Sequence, residues 1–431
     1  MNKLLYSLFV SIFLFDYISK SLGSLGVLGR YITWYPELLS MLIILVVSGR
    51  FMLGATRNVP PKWFLFLALY LLNIIIGIAI NSVPAGPLIA GFRAYLKFIP
   101  FFLLPFVYHF SSQQIGGQLK LILFFFIIQA PVALYQRLVV SKGLLTGDYV
   151  KGTLSSSGQL TVVLSCAIAV LISFYLAKKI SLTTAVVIFF LLFIPMTINE
   201  TKATIVLLPI ALILPFYFSP HKIKLEQLIP MIILGIFTTI AFVFIYDYFM
   251  RPRWGYGIIG FLTMEGRAEN YLFKGHDYNF YAQVGKVDSF VIAFKTISKD
   301  LLSFFFGFGI GNVSESFVPW LSGEYAEKYS AFNVKTTVLT IILWELGVFG
   351  VISYYVLYLM ILKDSKGLCT DSDITSTLSQ GWRTVVVIIM VATAYANFLQ
   401  ENATGYLFWY LSGYIISENY WNKVKAGSLK T

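Results

Sequence analysis

Apolar runs long enough to cross the hydrocarbon of a bilayer recur from one end of this chain to the other, separated by polar connections. About 12 of them stand out, near 4–20, 36–53, 62–81, 85–108, 118–140, 158–177, 180–198, 203–218, 226–249, 333–362, 383–401 and 405–421. Lipid offers backbone amides no water to bind, so each run is predicted to be a helix. Residues 250–332 break this rhythm as the longest passage without a spanning run. The pattern predicts an all-α polytopic membrane protein, a single transmembrane domain over 1–431. Its long extracytoplasmic loop, 250–332, contains short amphipathic helices and is inserted before the helix starting near 333.

Composition narrows this further. Of 431 residues, 58% are hydrophobic and 12% charged, with a mean hydropathy of +0.78, which excludes an ordinary water-soluble domain. A net charge of +12 could suit nucleic acid, but most Lys and Arg lie between apolar runs, where topology explains them, and no nucleic-acid partner is expected. Lys3, the Arg50/Arg57/Lys62 group, Lys120, Lys178 with Lys179, Lys222 with Lys224, Lys363 with Lys366, and Lys423/Lys425/Lys430 fall at alternate connections. The positive-inside rule places these in the cytoplasm with both termini, and 250–332 on the opposite side, because long loops translocate largely regardless of charge. The N-terminal run lacks a small-residue cleavage signal and is expected to remain as the first helix. Cys166 and Cys369 suggest no pairing, and His109, His221 and His276 have no metal-ligand spacing, so neither metal nor cofactor is expected.

Several charges sit where they are expensive. Arg93 and Lys97 lie four apart on one predicted helix, and a mid-helix cation costs about 2.5–3.5 kcal/mol unless it has a partner, a wet cavity or a route to the interface. For Arg93 a partner and snorkelling weigh equally; for Lys97 snorkelling is favoured. The sequence Asn199-Glu200-Thr201-Lys202-Ala203-Thr204 interrupts two apolar runs. Lys202 could neutralise a diphosphate there while the hydroxyls of Thr201 and Thr204 donate to it, or the stretch could be a plain polar hairpin tip. Lys286 opens an amphipathic pattern with Val287, Phe290, Val291, Phe294 and Ile297 on one side and Lys295 and Lys299 on another. Arg251, Arg253, Arg267, Lys274 and His276 are interleaved with Trp254, Tyr256, Tyr271, Tyr278 and Tyr281, a mixture suited to diphosphate and sugar rings or to lipid headgroups. Gly307-Phe308-Gly309-Ile310-Gly311 lacks the context of a nucleotide loop, leaving a tight turn, a close backbone approach or an amide nest for an anion.

The order of these features resembles the O-antigen polymerase and ligase superfamily, membrane glycosyltransferases acting on undecaprenyl-diphosphate-linked glycans. Gly152-Thr153 looks like the family's helix opening after its first sizeable external loop, and Thr201-Lys202 falls where it often has a Ser/Thr-Arg pair. Lys286 stands where an arginine begins the helix before the glycines, and the glycine cluster looks like its Gly-x-Gly element. Asn333 and Trp344-Glu345-Leu346-Gly347-Val348-Phe349-Gly350 resemble its His-Asn start and closing Glu-x-Gly-x-x-Gly. The match spans roughly 150–350. It departs at Phe332, which replaces the histidine associated with ligation, and at both arginines, which here are lysines without a bidentate fork.

The resemblance implies a GT-C-like fold in a bacterial inner (plasma) membrane and a repeat-unit polymerase of O-antigen, capsule or exopolysaccharide. Its expected partners are an undecaprenyl-diphosphate-linked oligosaccharide, membrane lipids, a chain-length regulator and a flippase. On this expectation Lys202, Lys286, Arg93 and Arg267 stabilise the leaving diphosphate, and Arg251, Arg253, Gly309 and Asn333 help hold substrate. His276 is the candidate general base, with Glu265, Glu269, Asp288 and Glu315 competing. A ligase, and a transporter of an anionic or lipid-linked solute, are the alternatives.

Overall fold

The computed structural model describes residues 1–21, 32, 34–54, 59–141, 148–220, 225–274, 276–278, 281–316, 318–332, 334–368 and 373–425. They form a helical, membrane-embedded, multi-pass body. The helices up to the long connection are α1 (Asn2–Ser21), α2 (Tyr35–Met52), α3 (Pro61–Asn81), α4 (Ala85–Tyr95), α5 (Ile99–Val107), α6 (Ser112–Tyr135), α7 (Ser157–Leu176), α8 (Leu182–Ile198), α9 (Thr204–Phe218) and α10 (Leu225–Trp254). The long connection carries α11 (Ile258–Thr263), a short antiparallel hairpin (His276–Tyr278 with Tyr281–Gln283), α12 (Lys286–Ile297) and α13 (Leu301–Phe306). The chain then closes with α14 (Val338–Asp364), α15 (Ile374–Ala392) and α16 (Asn402–Lys425).

Among the described residues, seven helices are long and apolar enough to cross a membrane, or eight if the bent α4–α5 pair is one span. This supports the polytopic expectation more coarsely than its figure of about 12. The apolar segments of α1, α8 and α9 are shorter. α16 is long but rich in tyrosine and small polar residues, which it can carry because protein surrounds it. Tyr410 donates to Gln118 Oε1 (2.7 Å), Trp382 Nε1 donates to Ser412 (2.9 Å), and Tyr414 meets Thr375 (2.8 Å).

Burial separates centre from edge. α7 and α15 are 78% and 72% buried over their apolar windows, against 17% for α10, which leaves most of its side chains free to face lipid. The same burial explains the largest boundary error of the sequence expectation. α15 was expected at 383–401, but it begins at Ile374, because Ser376, Thr377, Ser379 and Gln380 are buried within the helical body although the pattern marks them as polar. Residues 393–401 instead form a connection, and carbonyls of Thr393 and Ala396 accept the first amides of α14, from Leu339 (3.0 Å) and Val338 (3.1 Å). α14 starts at Val338 rather than near 333, with the Thr337 hydroxyl capping Thr340 N–H (3.0 Å).

The α4–α5 pair bends by 49°. Pro100 cannot donate an amide to the turn before it, and the Lys97 carbonyl accepts the Ser40 hydroxyl instead (3.1 Å). At the lysine-rich end of the body, Asp364 accepts Lys62 Nζ (2.5 Å) and Trp63 Nε1 (2.7 Å), while its carbonyl accepts Asn419, joining α3, α14 and α16.

Candidate functional site

At the other end of the body four connections meet: 148–156, the turn 199–203, the long passage 255–337, and 393–401. Each is held by local chemistry. In the turn, the side chain of buried Asn199 donates through Nδ2 to Thr161 of α7 (2.8 Å) and accepts Thr201 N–H on Oδ1 (3.2 Å). Thr204 Oγ1 donates to the Thr201 carbonyl (3.2 Å), so that hydroxyl is used internally rather than on a ligand. The result is a pinned turn from which Lys202 projects.

Phe261 reaches Lys202 because α11 folds back on α10. Asp247 accepts Ile258 N–H (2.6 Å), and Gly257 leaves room for that carboxylate. The opening of α12 carries Lys286. Ser289, one turn later, donates to the Phe332 carbonyl (3.1 Å), and Ala293 and Ile297 pack with Leu343 and Trp344 of α14. Buried Ser289, Ala293 and Ile297 recur every four residues as the inward stripe; Val291 and Phe294 of the predicted apolar face remain exposed.

Lys202 and Lys286, far apart in sequence, share the ring of Tyr271, and each lies against one further ring. Lys202 Nζ lies 4.6 Å from the Tyr271 ring centroid and 5.0 Å from Phe261. Lys286 Nζ lies 4.6 Å from Tyr395 and 5.8 Å from Tyr271. The two tyrosine hydroxyls share a hydrogen bond of 2.8 Å. Such cation–π contacts stabilise by about 0.5–2 kcal/mol each, depending on desolvation. Burial pushes the Lys286 ammonium down to about 8; Asp148 pulls the other way and Lys202 adds to the depression. Burial likewise lowers Lys202, against the upward pull of Glu200 and Asp148. Burial raises the phenols, Tyr271 to about 12 and Tyr395 well above its ordinary value. The site thus sets two lysine side chains against aromatic walls, an arrangement able to hold a diphosphate and flank a sugar ring.

The other predicted site residues fall in different places. Arg267 is exposed and stacks 4.6 Å from the Tyr256 ring, not on either tyrosine that the two lysines touch. Arg251 is exposed on the last turn of α10; the Arg253 side chain lies outside the described residues. His276 is the first residue of the hairpin, and its side chain, like the whole of Asn333, lies outside the described residues.

Arg93 belongs to a separate ion cluster. Glu37 Oε1 accepts Arg93 Nη2 (2.9 Å), Arg93 Nε (3.1 Å) and Lys97 Nζ (3.2 Å), and Lys97 also donates to Asn402 (2.5 Å). Lys97 is thus paired inside the protein, where snorkelling was expected, because a carboxylate from α2 comes within reach. Gly309 serves packing: its amide donates to the Glu345 carbonyl (3.1 Å), so it is not open to an anion, and a Cβ there would lie 2.4 Å from Val83.

Sequence reasoning missed Tyr395, which was hidden inside a predicted span. Among the described residues no three His, Cys, Asp or Glu side chains gather as a metal site. No protein-family model matches the chain, and no curated protein matches it.

Proposed function

We propose that the chain is an extracytoplasmic-facing glycan polymerase, transferring a growing oligosaccharide from undecaprenyl diphosphate to a hydroxyl of the next lipid-linked repeat unit. The observation that carries this reading is the meeting of Lys202 and Lys286 on the Tyr271–Tyr395 pair. Such a donor brings its own leaving group, so the protein's chief tasks are to hold the charge of the departing diphosphate and to position the acceptor. Two ammonium groups suit the first task. Lysine lacks the guanidinium fork, but ring contacts on both sides limit where each ammonium can go, which restores part of the lost geometry. The apolar helices beneath keep a polyprenyl tail in lipid while its headgroup reaches the connections above. Phe332, in place of a ligase-type histidine, favours a second repeat unit as the acceptor.

The test is elongation by purified protein in nanodiscs, supplied with lipid-linked glycans extracted from membranes of the cells that make it. A product ladder on a gel is expected, and Lys202→Ala or Lys286→Ala each lowers its rate about 10²–10³-fold, the range for losing one preorganised charge-stabilising donor. An undiminished ladder in both variants would overturn the assignment. Accumulation of the glycan inside vesicles without elongation would favour a carrier.

A further inference from the structure

Two hollows that the lysine–tyrosine cluster does not use meet at Lys120, near the start of α6 and away from the connection 148–156. The first, about 270 Å³, runs inside the bundle between α6, α7, α8, α15 and α16. Along α7 it reaches from Val163 to Phe174, about 16 Å at 1.5 Å per residue. Cys166, Ala167 and Val170 line that stretch, side chains small enough to leave the gap open. The other lining side chains are apolar too, except Thr404 and Lys120. Thr404, toward the Lys202–Lys286 end, already accepts Gln159 Nε2 (3.1 Å), so no polar group is offered there. The second hollow, about 630 Å³, is lined by Asn2 and Tyr6 of α1, by Ser112, Gln113 and Gln114 of α6, and again by Lys120.

One residue can border both because a lysine joins an apolar stem to a charged tip. Lys120 is the only charged side chain lining either hollow, it is exposed, and among the described residues it has no carboxylate partner. Asp373 accepts the Ser112 hydroxyl (3.5 Å) but lines neither hollow. A long apolar slot that opens past one cation into a polar chamber has the shape and polarity of an amphiphile with a negative headgroup. A polyprenyl donor does not fit that order, since its diphosphate belongs at the opposite pole. A zwitterionic headgroup finds a cation for its phosphate and no lining carboxylate for its ammonium.

We propose that the two hollows bind one anionic phospholipid from the leaflet opposite the Lys202–Lys286 cluster. One acyl chain fills the apolar slot, and the phosphate lies in the polar chamber on Lys120. This site is independent of the polymerase reading.

The native Cys166 thiol, half-buried in the slot wall, reports on occupancy. In delipidated Cys369→Ser protein in detergent, its reaction with N-ethylmaleimide is timed against added dioleoyl-phosphatidylglycerol, dioleoyl-phosphatidylcholine or undecaprenyl phosphate, and native mass spectrometry counts the lipid bound. Phosphatidylglycerol is expected to slow labelling about tenfold and to do so at about fivefold lower concentration than phosphatidylcholine, the worth of one lysine beside an anionic headgroup. Lys120→Gln should erase that preference while leaving the thermal midpoint unchanged. Ala167→Phe, which narrows the slot, should lose the bound lipid. Labelling unaffected by phosphatidylglycerol, with no lipid retained in the mass spectrum, would overturn the site whether or not Ala167→Phe folds. A preference for phosphatidylglycerol that persists in Lys120→Gln would overturn the headgroup assignment, and protection by undecaprenyl phosphate at lower concentration than phosphatidylglycerol would make this a polyprenyl site instead.

Discussion

Lys286 shows how surroundings turn an ordinary cation into a titrating one. With its ammonium pushed down to about 8, it is charged at pH 7 and neutral at pH 9, whereas a free lysine stays charged beyond that. An anion binds the charged form, so affinity for undecaprenyl diphosphate is present below about 8 and lost as the pH rises through it. Folding responds in the opposite direction: between about 8 and the ordinary lysine value the unfolded chain holds more protons, so stability rises with pH there. Binding measured in nanodiscs at pH 7 and pH 9 is expected to fall about tenfold, the worth of part of one charge-assisted contact. Lys286→Arg, which stays charged throughout, should remove most of that fall. A flat wild-type profile would show that Lys286 does not touch the anion. Both lysines were legible in the sequence, as cations at the margins of apolar runs. Their ring partners were not, since Tyr271 and Tyr395 are brought together only by the tertiary fold.

Between elements, the glycines of the two resembling motifs turn out to pack on each other. Gly307, which ends α13, and Gly347, inside α14, both have positive φ, 69° and 64°. A Cβ on Gly307 would lie 2.5 Å from the Glu345 carbonyl carbon, and one on Gly347 would lie 2.5 Å from the Phe305 carbonyl oxygen. Phe308 N–H donates to the Trp344 carbonyl across the same crossing (2.8 Å). Gly347→Ala is therefore expected to cost about 2–4 kcal/mol, combining backbone strain with overpacking, and to lower the thermal midpoint in detergent. Gly49→Ala is the control: it sits in α2 with nothing within 4 Å of the new Cβ, so the midpoint should hold or rise slightly. Equal effects in the two variants would remove the packing account. Helix existence was legible because apolar runs of this length leave few other structures in lipid. Boundaries failed where polar side chains enter the interior, as at Ser376, Thr377 and Gln380 of α15.

At the scale of the molecule, polarity gathers at two poles. One is the Lys62–Asp364–Asn419 junction; the other is the cluster built on Lys202 and Lys286. The fold class was readable from the sequence as repeated apolar runs, and the long connection as the gap between them. The gathering of its parts over one end was not, because it depends on connections such as 393–401 crossing to the start of α14. The two poles must face opposite sides of the bilayer if the proposed chemistry is extracytoplasmic. Single cysteines can test this in a chain whose own Cys166 and Cys369 are replaced. A membrane-impermeant maleimide added to spheroplasts is expected to label Lys299→Cys, and to label Lys366→Cys only after permeabilisation. Both positions are exposed, and one helix long and apolar enough to cross, α14, lies between them in sequence. The comparison therefore holds whether the body has eight crossings or more: α14 alone decides that the two sites lie on opposite sides. Labelling of both from outside would mean that α14 does not span, and the lysine pair would then have no fixed relation to the surface where lipid-linked glycans are joined.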